Sequence, residues 1–280
     1  MILLVDFDSI LYHAVYKVVS IREMREAITK FGKTASKQWL NEQVYNEGIN
    51  RCENELLKIQ NEVQSLMIND ITGVELFITT CTKSFRKELT PTYKKSRKKN
   101  DYVWLLRSHY QLNDVSFSDT LEADDLIAIR AKELGKDNCI VISIDKDLKQ
   151  IGGYYWSYYK VKSKDMEGNP ILDEYNNEVK EYKQKSIDFI TDEEASLMFW
   201  ESVLSGDSGD DIKGIEAITV EQKKQYEKEY NIKLDSRVGV ATAKKILSNS
   251  NNHFITVARQ YIARGQKENF KLNYKLLKIR

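Results

Sequence analysis

The sequence predicts an α/β protein built on a mostly parallel sheet, and three observations carry that expectation. Short apolar runs at residues 2–5, 74–80, 139–144 and 154–161 alternate with stretches of helical periodicity, the pattern of strands joined by crossover helices. Two of those runs end in acids two residues apart, Asp6 with Asp8 and Asp145 with Asp147, each pair on one face where the backbone stays extended, and ligands of parallel sheets gather beyond the carboxyl ends of the strands. The third is size. With 280 residues, 41% of them hydrophobic, the chain suffices for one large domain, or for a core followed by a smaller helical domain.

Each element has a local reason. Residues 2–5 are apolar without alternation, as in a strand buried on both faces. A helical pattern follows from Ser9, and Val44, Cys52, Leu56, Ile59, Val63 and Leu66 recur at helical spacing within residues 41–67. Residues 122–134 read as the next helix, with Asp119 or Thr120 as its cap and acids in its first turn. The polar stretch 164–185, with turn signals at Gly168-Asn169-Pro170 and Asn176-Asn177, reads as a surface hairpin. Thr191-Asp192-Glu193-Glu194 is a capping box opening a helix through Leu204, beyond which the chain is mainly helical. The expected organisation is a core over residues 1–190, containing a basic segment at 83–113, and a helical region over 191–280.

The net charge of +1 conceals segregation: Lys83, Arg86, Lys87, Lys94, Lys95, Arg97, Lys98 and Lys99 crowd one stretch. A near-neutral total is compatible with a basic track beside an acidic pit. Cys52, Cys81 and Cys139 form no CxxC or Cys/His cluster, which argues against structural zinc and a disulfide framework. Asp6 interrupts the first apolar run too early for a signal peptide, and no later run approaches a bilayer span. A soluble, cytoplasmic protein with no membrane partner is expected.

The acids carry the chemical argument. Asp6 and Asp8, Glu122 with Asp124 and Asp125, Asp145 and Asp147, and Asp207 with Asp210 and Asp211 each stand where a strand ends or a helix begins. Gathered bare they would repel one another, and divalent cations are the usual means of holding such groups together. Singly, each has a plainer explanation, because acids are favoured in a first helical turn. The basic segment read alone is a solvated charge run; beside the acids, Lys94 and Arg97 would offset charge developing on a phosphate. Gly214 and Gly239 precede turns into helices whose free N–H groups suit a DNA phosphate.

Val5-Asp6-Phe7-Asp8, Phe85-Arg86-Lys87-Glu88-Leu89, Tyr93-Lys94-Lys95-Ser96-Arg97, Glu122-Ala123-Asp124-Asp125, Asp145-Lys146-Asp147 and Gly206-Asp207-Ser208-Gly209-Asp210-Asp211-Ile212-Lys213-Gly214 occur in that order. Together they resemble the flap endonuclease and 5′→3′ exonuclease family, which includes the 5′-nuclease domain of bacterial DNA polymerase I and the phage ribonuclease H enzymes. The resemblance implies a PIN-like α/β core, its mostly parallel sheet flanked by helices, with a helical arch at 83–113 and a C-terminal helix-hairpin-helix. It implies two Mg2+ ions, with Mn2+ as a substitute: Asp6, Glu122, Asp124 and Asp125 at the first, Asp145, Asp147, Asp207 and Asp210 at the second. Such a pair, about 4 Å apart, serves in-line displacement at phosphorus.

By the same resemblance Lys94 and Arg97 match the pair that contacts the scissile phosphate. Arg86, Tyr93, Lys95, Lys98, Gly214, Gly239 and Lys244 would contact DNA, with K+ at the helix-hairpin-helix. The implied substrates are branched or nicked duplex DNA, 5′ flaps and RNA–DNA hybrids. The implied setting is DNA replication or repair, beside other replication proteins, by a monomer in a bacterial or phage-infected cell.

Four positions depart from the family pattern. Thr79 stands where the family has an aspartate, the connection from Arg97 to Glu122 is short for an arch, residues 216–236 insert into the helix-hairpin-helix, and Asp211 replaces an asparagine. Asp8 lies outside the family motif and has two explanations. If the strand continues, period-2 alternation places it beside Asp6 as a further metal ligand that restores the charge missing at Thr79; otherwise it caps the following helix. Two other functional classes stay open: a PIN-type ribonuclease, which lacks the basic arch and the helix-hairpin-helix, and a catalytically weakened DNA-structure-binding accessory protein, for which Thr79 is the support.

Overall fold

The unbroken apolar run at the start of the chain becomes the central strand of a sheet. The computed structural model describes all residues except 19, 20, 82, 98, 99, 114 and 174–177; within the first two helices the side chains of 16–18, 21–25, 27, 28, 31, 33–38, 40 and 44 also stand outside the described set. The strands are β1 (Ile2–Asp6), β2 (Gly73–Phe77), β3 (Val115–Ser116), β4 (Cys139–Ile142) and β5 (Gly153–Trp156), then a hairpin of β6 (Lys160–Lys162) and β7 (Lys180–Tyr182), then β8 (Asp188–Ile190). The sheet order is β3-β2-β1-β4-β5-β8. β1 pairs parallel with β2 and β4, β2 with β3, and β4 with β5. The expected α/β class, with a mostly parallel sheet, is therefore the observed one.

The chain forms two compact units. The first comprises Met1–Thr80, Asn100–Leu148 and Gly153–Phe189, and the second Cys81–Lys99, Lys149–Gly152 and Ile190–Arg280. The basic residues from Lys83 to Arg97, placed by sequence in the N-terminal core, are part of the second unit.

In the first unit the helices are α1 (Asp8–Val18), α2 (Ile21–Ser65), α4 (Asp101–Tyr110) and α5 (Ala123–Leu134), the five-residue α3 (Phe85–Leu89) belonging to the second. Leu3, Val5, Ile140 and Ile142 share a core with Ile10 and Leu11 of α1, Cys52, Ile59 and Val63 of α2, and Val103 and Leu106 of α4. Strand alternation turns Leu4 and Val141 to the other face, and α5 packs on β1, β2 and β4 through buried Ile127 and Ala131. α2 and α4 approach closely at Gly48, where an added Cβ would lie 3.2 Å from the Leu106 methyls.

Four expected boundaries shift. β2 ends at Phe77 and β4 at Ile142, before the apolar runs do. The run 154–161 divides between β5 and β6, which belong to different sheets. α2 begins far earlier than residue 41 and carries a break at Gly32, whose φ of 73° takes the chain out of helical geometry. Of the sequence signals, Asn176-Asn177 and the side chain of Val44 lie outside the described residues.

The second unit holds α6 (Asp192–Ser205), the short antiparallel pair β9 (Gly206–Asp207) and β10 (Ile212–Lys213), then α7 (Val220–Tyr230), α8 (Val240–Ser248), α9 (His253–Ile262) and α10 (Lys267–Leu277). Thr191 and Glu194 form the expected capping box. Val203, Leu204, Ala243, Leu247, Val257, Tyr261 and Leu276 make its core. The interval 216–236, expected only as a charged insertion, contains α7, which buries none of its residues. Among the described residues no helix is long and apolar enough to cross a membrane.

Candidate functional site

The strand order reverses at β1, whose neighbours β2 and β4 lie on opposite sides, and the crevice beyond such a reversal is where sheets of this kind bind ligands. Asp6, the last residue of β1, is only 5% exposed. Its Oδ2 accepts hydrogen bonds from Ser143 Oγ at 2.7 Å and Ser9 Oγ at 3.4 Å. Burial pushes its pKa up to about 7; the charges of Asp8 and Asp145 push in the same direction, while the serine hydroxyls oppose them. No basic side chain among the described residues forms an ion pair with Asp6. A buried carboxylate with like charges nearby and no cationic partner has the donor chemistry of a divalent-cation ligand.

Asp8 does not share a strand face with Asp6, because β1 ends at Asp6 and Asp8 opens α1. Its Oδ1 receives Arg107 Nε at 2.9 Å and Nη2 at 2.8 Å, and its Oδ2 accepts the Thr79 N–H at 3.0 Å. Both oxygens are committed to these donors, an arrangement that neither the ligand nor the simple cap explanation anticipated. Thr79 Oγ1 in turn accepts the Ala123 N–H at 3.0 Å.

Asp124 and Asp125 lie in the first turn of α5 as expected, but its cap is Glu122 rather than Asp119 or Thr120, because the helix begins only at Ala123. Glu122 and Asp125 form a capping box, with the Glu122 N–H donating to Asp125 Oδ2 at 3.3 Å; Asp125 is fully buried and Glu122 4% exposed. Asp145 and Asp147 do not share a strand face either. β4 has ended, Asp145 Oδ1 accepts the Asp147 N–H at 2.9 Å, and Asp147 lies in the first turn of the 3-10 helix Lys146–Ile151. Tyr155 Oη braces this turn by donating to the carbonyls of Ser143 and Asp145. Among the described residues no three Asp, Glu, His or Cys side chains stand together as a finished metal cage.

In the second unit, β9 and β10 present the tip Ser208–Asp211. Asp207 Oδ1 accepts the Gly209 N–H at 2.8 Å. Asp210 gathers the basic segment: Arg97 Nη2 at 2.5 Å, Lys94 Nζ at 3.5 Å and Tyr93 Oη at 3.0 Å. The Lys94 N–H also donates to the Asp210 carbonyl, and the Ser96 N–H to Asp211 Oδ2. Lys94 and Asp211 both hold positive φ, 52° and 57°, conformations that cost energy for a residue with a side chain. Burial raises the Asp210 pKa, while Lys94 and Arg97 pull it down.

The remaining expected DNA contacts fall into different surroundings. Arg86 is 3% exposed, its Nε donating to the Leu276 carbonyl at 2.8 Å and its Nη2 to that of Lys278 at 3.1 Å, so it holds the end of α10 rather than facing solvent. Tyr93, likewise expected at DNA, is 3% exposed beneath Asp210. Lys95 and Gly239 are exposed, and Gly239 is the N-cap of α8 without a side-chain cap. Lys244 is 65% exposed, 3.9 Å from Glu201. Gly214 serves packing: a Cβ there would lie 2.3 Å from the Ser205 carbonyl carbon. Lys98 lies outside the described residues.

Sequence reasoning missed Ser143, Tyr155 and Arg107. Ser143 had a weak signal, a small polar residue directly after an apolar run. Arg107 had none, because nothing local marks which basic residue of a helix turns inward.

No protein-family model matches the chain, and no curated protein matches it. Among solved structures it is similar to the 5′-exonuclease of bacteriophage T5 with bound zinc ions, at 13% identity and a TM-score of 0.49, over 99% of this chain and 88% of that one. It is similar also to the flap endonuclease of the same phage in a pseudo-enzyme-product complex with DNA and metal ions, at 13% identity and a TM-score of 0.46, with the same coverage. At such identity and TM-score the likeness says nothing of any single residue.

Proposed function

We propose that the chain is a divalent-cation-dependent 5′ nuclease, a 5′→3′ exonuclease or flap endonuclease acting on branched or nicked duplex DNA and RNA–DNA hybrids in replication or repair. The observation that carries the reading is Asp6, a buried carboxylate at the reversal of strand order with two further acids in its field and no cationic partner among the described residues. The ordered motifs that resemble the 5′-nuclease family support it.

Asp6 and Asp145 are the donors of the first unit best suited to Mg2+ or Mn2+, with Glu122, Asp124, Asp125 and Asp147 as further members of the set. Asp207 and Asp210 are those of the second unit. What a divalent cation supplies in such chemistry is stabilisation of the charge on a phosphodiester undergoing hydrolysis. Ser143 fixes the orientation of the Asp6 carboxylate. Lys94 and Arg97 are held ready by Asp210, and a DNA phosphate, a tetrahedral anion with more than one acceptor oxygen, competes for the planar Arg97 fork. The uncapped N-terminus of α8 at Gly239 offers backbone N–H groups to a phosphate without reading sequence.

The test is a 5′-labelled flap, a nicked duplex and an RNA–DNA hybrid, each incubated with MgCl2 or EDTA, with Asp6→Asn alongside. Cleavage that needs Mg2+ and falls by about 10²-fold or more in the variant supports the reading. Cleavage undiminished in EDTA, or none from stoichiometric enzyme on any of the three, defeats it. A DNA-structure-binding protein without turnover is the second reading, favoured by Thr79, whose hydroxyl brings no charge where the family places an acid. It would appear as binding to the flap without cutting.

A further inference from the structure

We propose that Arg107 is a positioning residue: through Asp8 and Thr79 it fixes the N-terminus of α5, and with it Glu122, Asp124 and Asp125, beside the carboxyl end of β2. The first amides of a helix have no acceptor within it. Ala123, the first residue of α5, is 1% exposed, so water does not serve its N–H. Thr79 Oγ1 does, at 3.0 Å. Thr79 follows the end of β2 and is held by its own N–H, which donates to Asp8 Oδ2 at 3.0 Å. Asp8 is oriented by Arg107, two of whose nitrogens converge on Oδ1 at 2.9 and 2.8 Å.

Arg107 is itself confined. It is 7% exposed, and its guanidinium carbon lies 5.2 Å from the Trp104 ring centre and 5.7 Å from that of Tyr12. With two rings at cation–π distance and two of its nitrogens on one carboxylate oxygen, the guanidinium has little freedom to turn. The order of dependence is thus α4, Arg107, Asp8, the Thr79 backbone, the Thr79 hydroxyl and the start of α5. This gives Thr79 a positive role. It does the accepting half of an aspartate's work and leaves out the charge, while Arg107 forms the ion pair with Asp8.

The proposal rests on the nuclease reading only for the use made of the α5 acids, so its test includes a measurement independent of activity. Amide hydrogen exchange of the full chain, in EDTA, is followed at Thr79 and Ala123. Thr79→Val should speed exchange at Ala123 by about tenfold, the worth of one net hydrogen bond, and Thr79→Ser should restore it. Arg107→Gln and Asp8→Asn should each speed exchange at both amides, the double variant doing no more than either single one. Arg107→Lys, which keeps the charge but loses the fork, should fall between and serves if the Gln variant does not fold.

A second arm follows the rise in melting temperature on adding MgCl2, expected to shrink in Arg107→Lys and Thr79→Val. Protection at Ala123 unchanged by Arg107→Gln or Arg107→Lys, or multiplicative effects in the double variant, overturns the proposal. A wild-type protein unaffected by MgCl2 and inactive on DNA would instead defeat the nuclease reading, and the exchange data would still decide the role of Arg107.

Discussion

Replacing Asp6 by Asn removes one ionisable group while keeping a carbonyl oxygen that can accept from Ser143. In the cation-free protein the Asp6 carboxyl holds its proton up to about pH 7, against an ordinary 3.8, chiefly because it is buried and secondly because Asp8 and Asp145 are near. The folded state therefore binds this proton more tightly than the unfolded one. Stability from this group is complete below about pH 4 and is lost as pH rises through about 7. At roughly 1.4 kcal/mol for each pH unit between those values, ionisation costs the folded state up to about 4 kcal/mol, an upper limit that relaxation and water entry reduce.

Asp6→Asn escapes that cost. In EDTA at pH 8 it should melt several degrees above the wild type, at roughly 2 °C for each kcal/mol in a chain of this size, and the two should converge near pH 4. Added MgCl2 should reverse the order, since a ligand at 100 times its Kd stabilises the wild type by about 2.7 kcal/mol and the variant lacks the carboxylate. Differential scanning calorimetry from pH 4 to 8, with EDTA and with MgCl2, reads both arms. A wild type more stable than the variant in EDTA at pH 8, with no difference in pH slope, would refute the reasoning.

Other substitutions separate the roles of neighbouring cations and glycines. Lys94→Ala or Arg97→Ala should slow single-turnover cleavage by about 10²-fold if each contacts the reacting phosphate, whereas Lys95→Ala, at an exposed position, should mainly weaken binding and flatten its salt dependence, read by fluorescence anisotropy at several salt concentrations. Arg86→Ala should leave two carbonyls at the end of α10 without their charged donor and cost about 2–3 kcal/mol of stability by urea titration, with the DNA salt slope unchanged. Gly214→Ala forces a methyl into backbone at 2.3 Å and should destabilise the second unit by about 2 kcal/mol or more, measured the same way.

Much of the fold was legible because its signals are local. A four-residue apolar run without alternation, ended by acids, reads as a strand covered on both faces because it is too short for a buried helix, and Thr191 with Glu194 announces a helix start by chemistry confined to four residues. The site was legible as a list of acids but not as an arrangement. Period-2 reasoning paired Asp6 with Asp8 and Asp145 with Asp147, yet both strands end before the second acid, where a turn redirects the side chain. Arg86 and Tyr93 illustrate the other failure: their residue types suit DNA, but burial depends on contacts with Leu276 and Asp210 that no local pattern encodes. Arg107 was silent for the same reason.

The acceptors of Arg86 lie 190 and 192 positions later in the chain, and α3 is too short to persist alone. On the ribosome the parallel sheet can be assembled long before the carbonyls of Leu276 and Lys278 exist. The anchoring of Arg86 must therefore wait until residues 276–278 have been made. A nascent chain short of Leu276, or one cleaved before it, would carry its cations without the anchored helix that spaces them, although every basic residue of the segment remained in place.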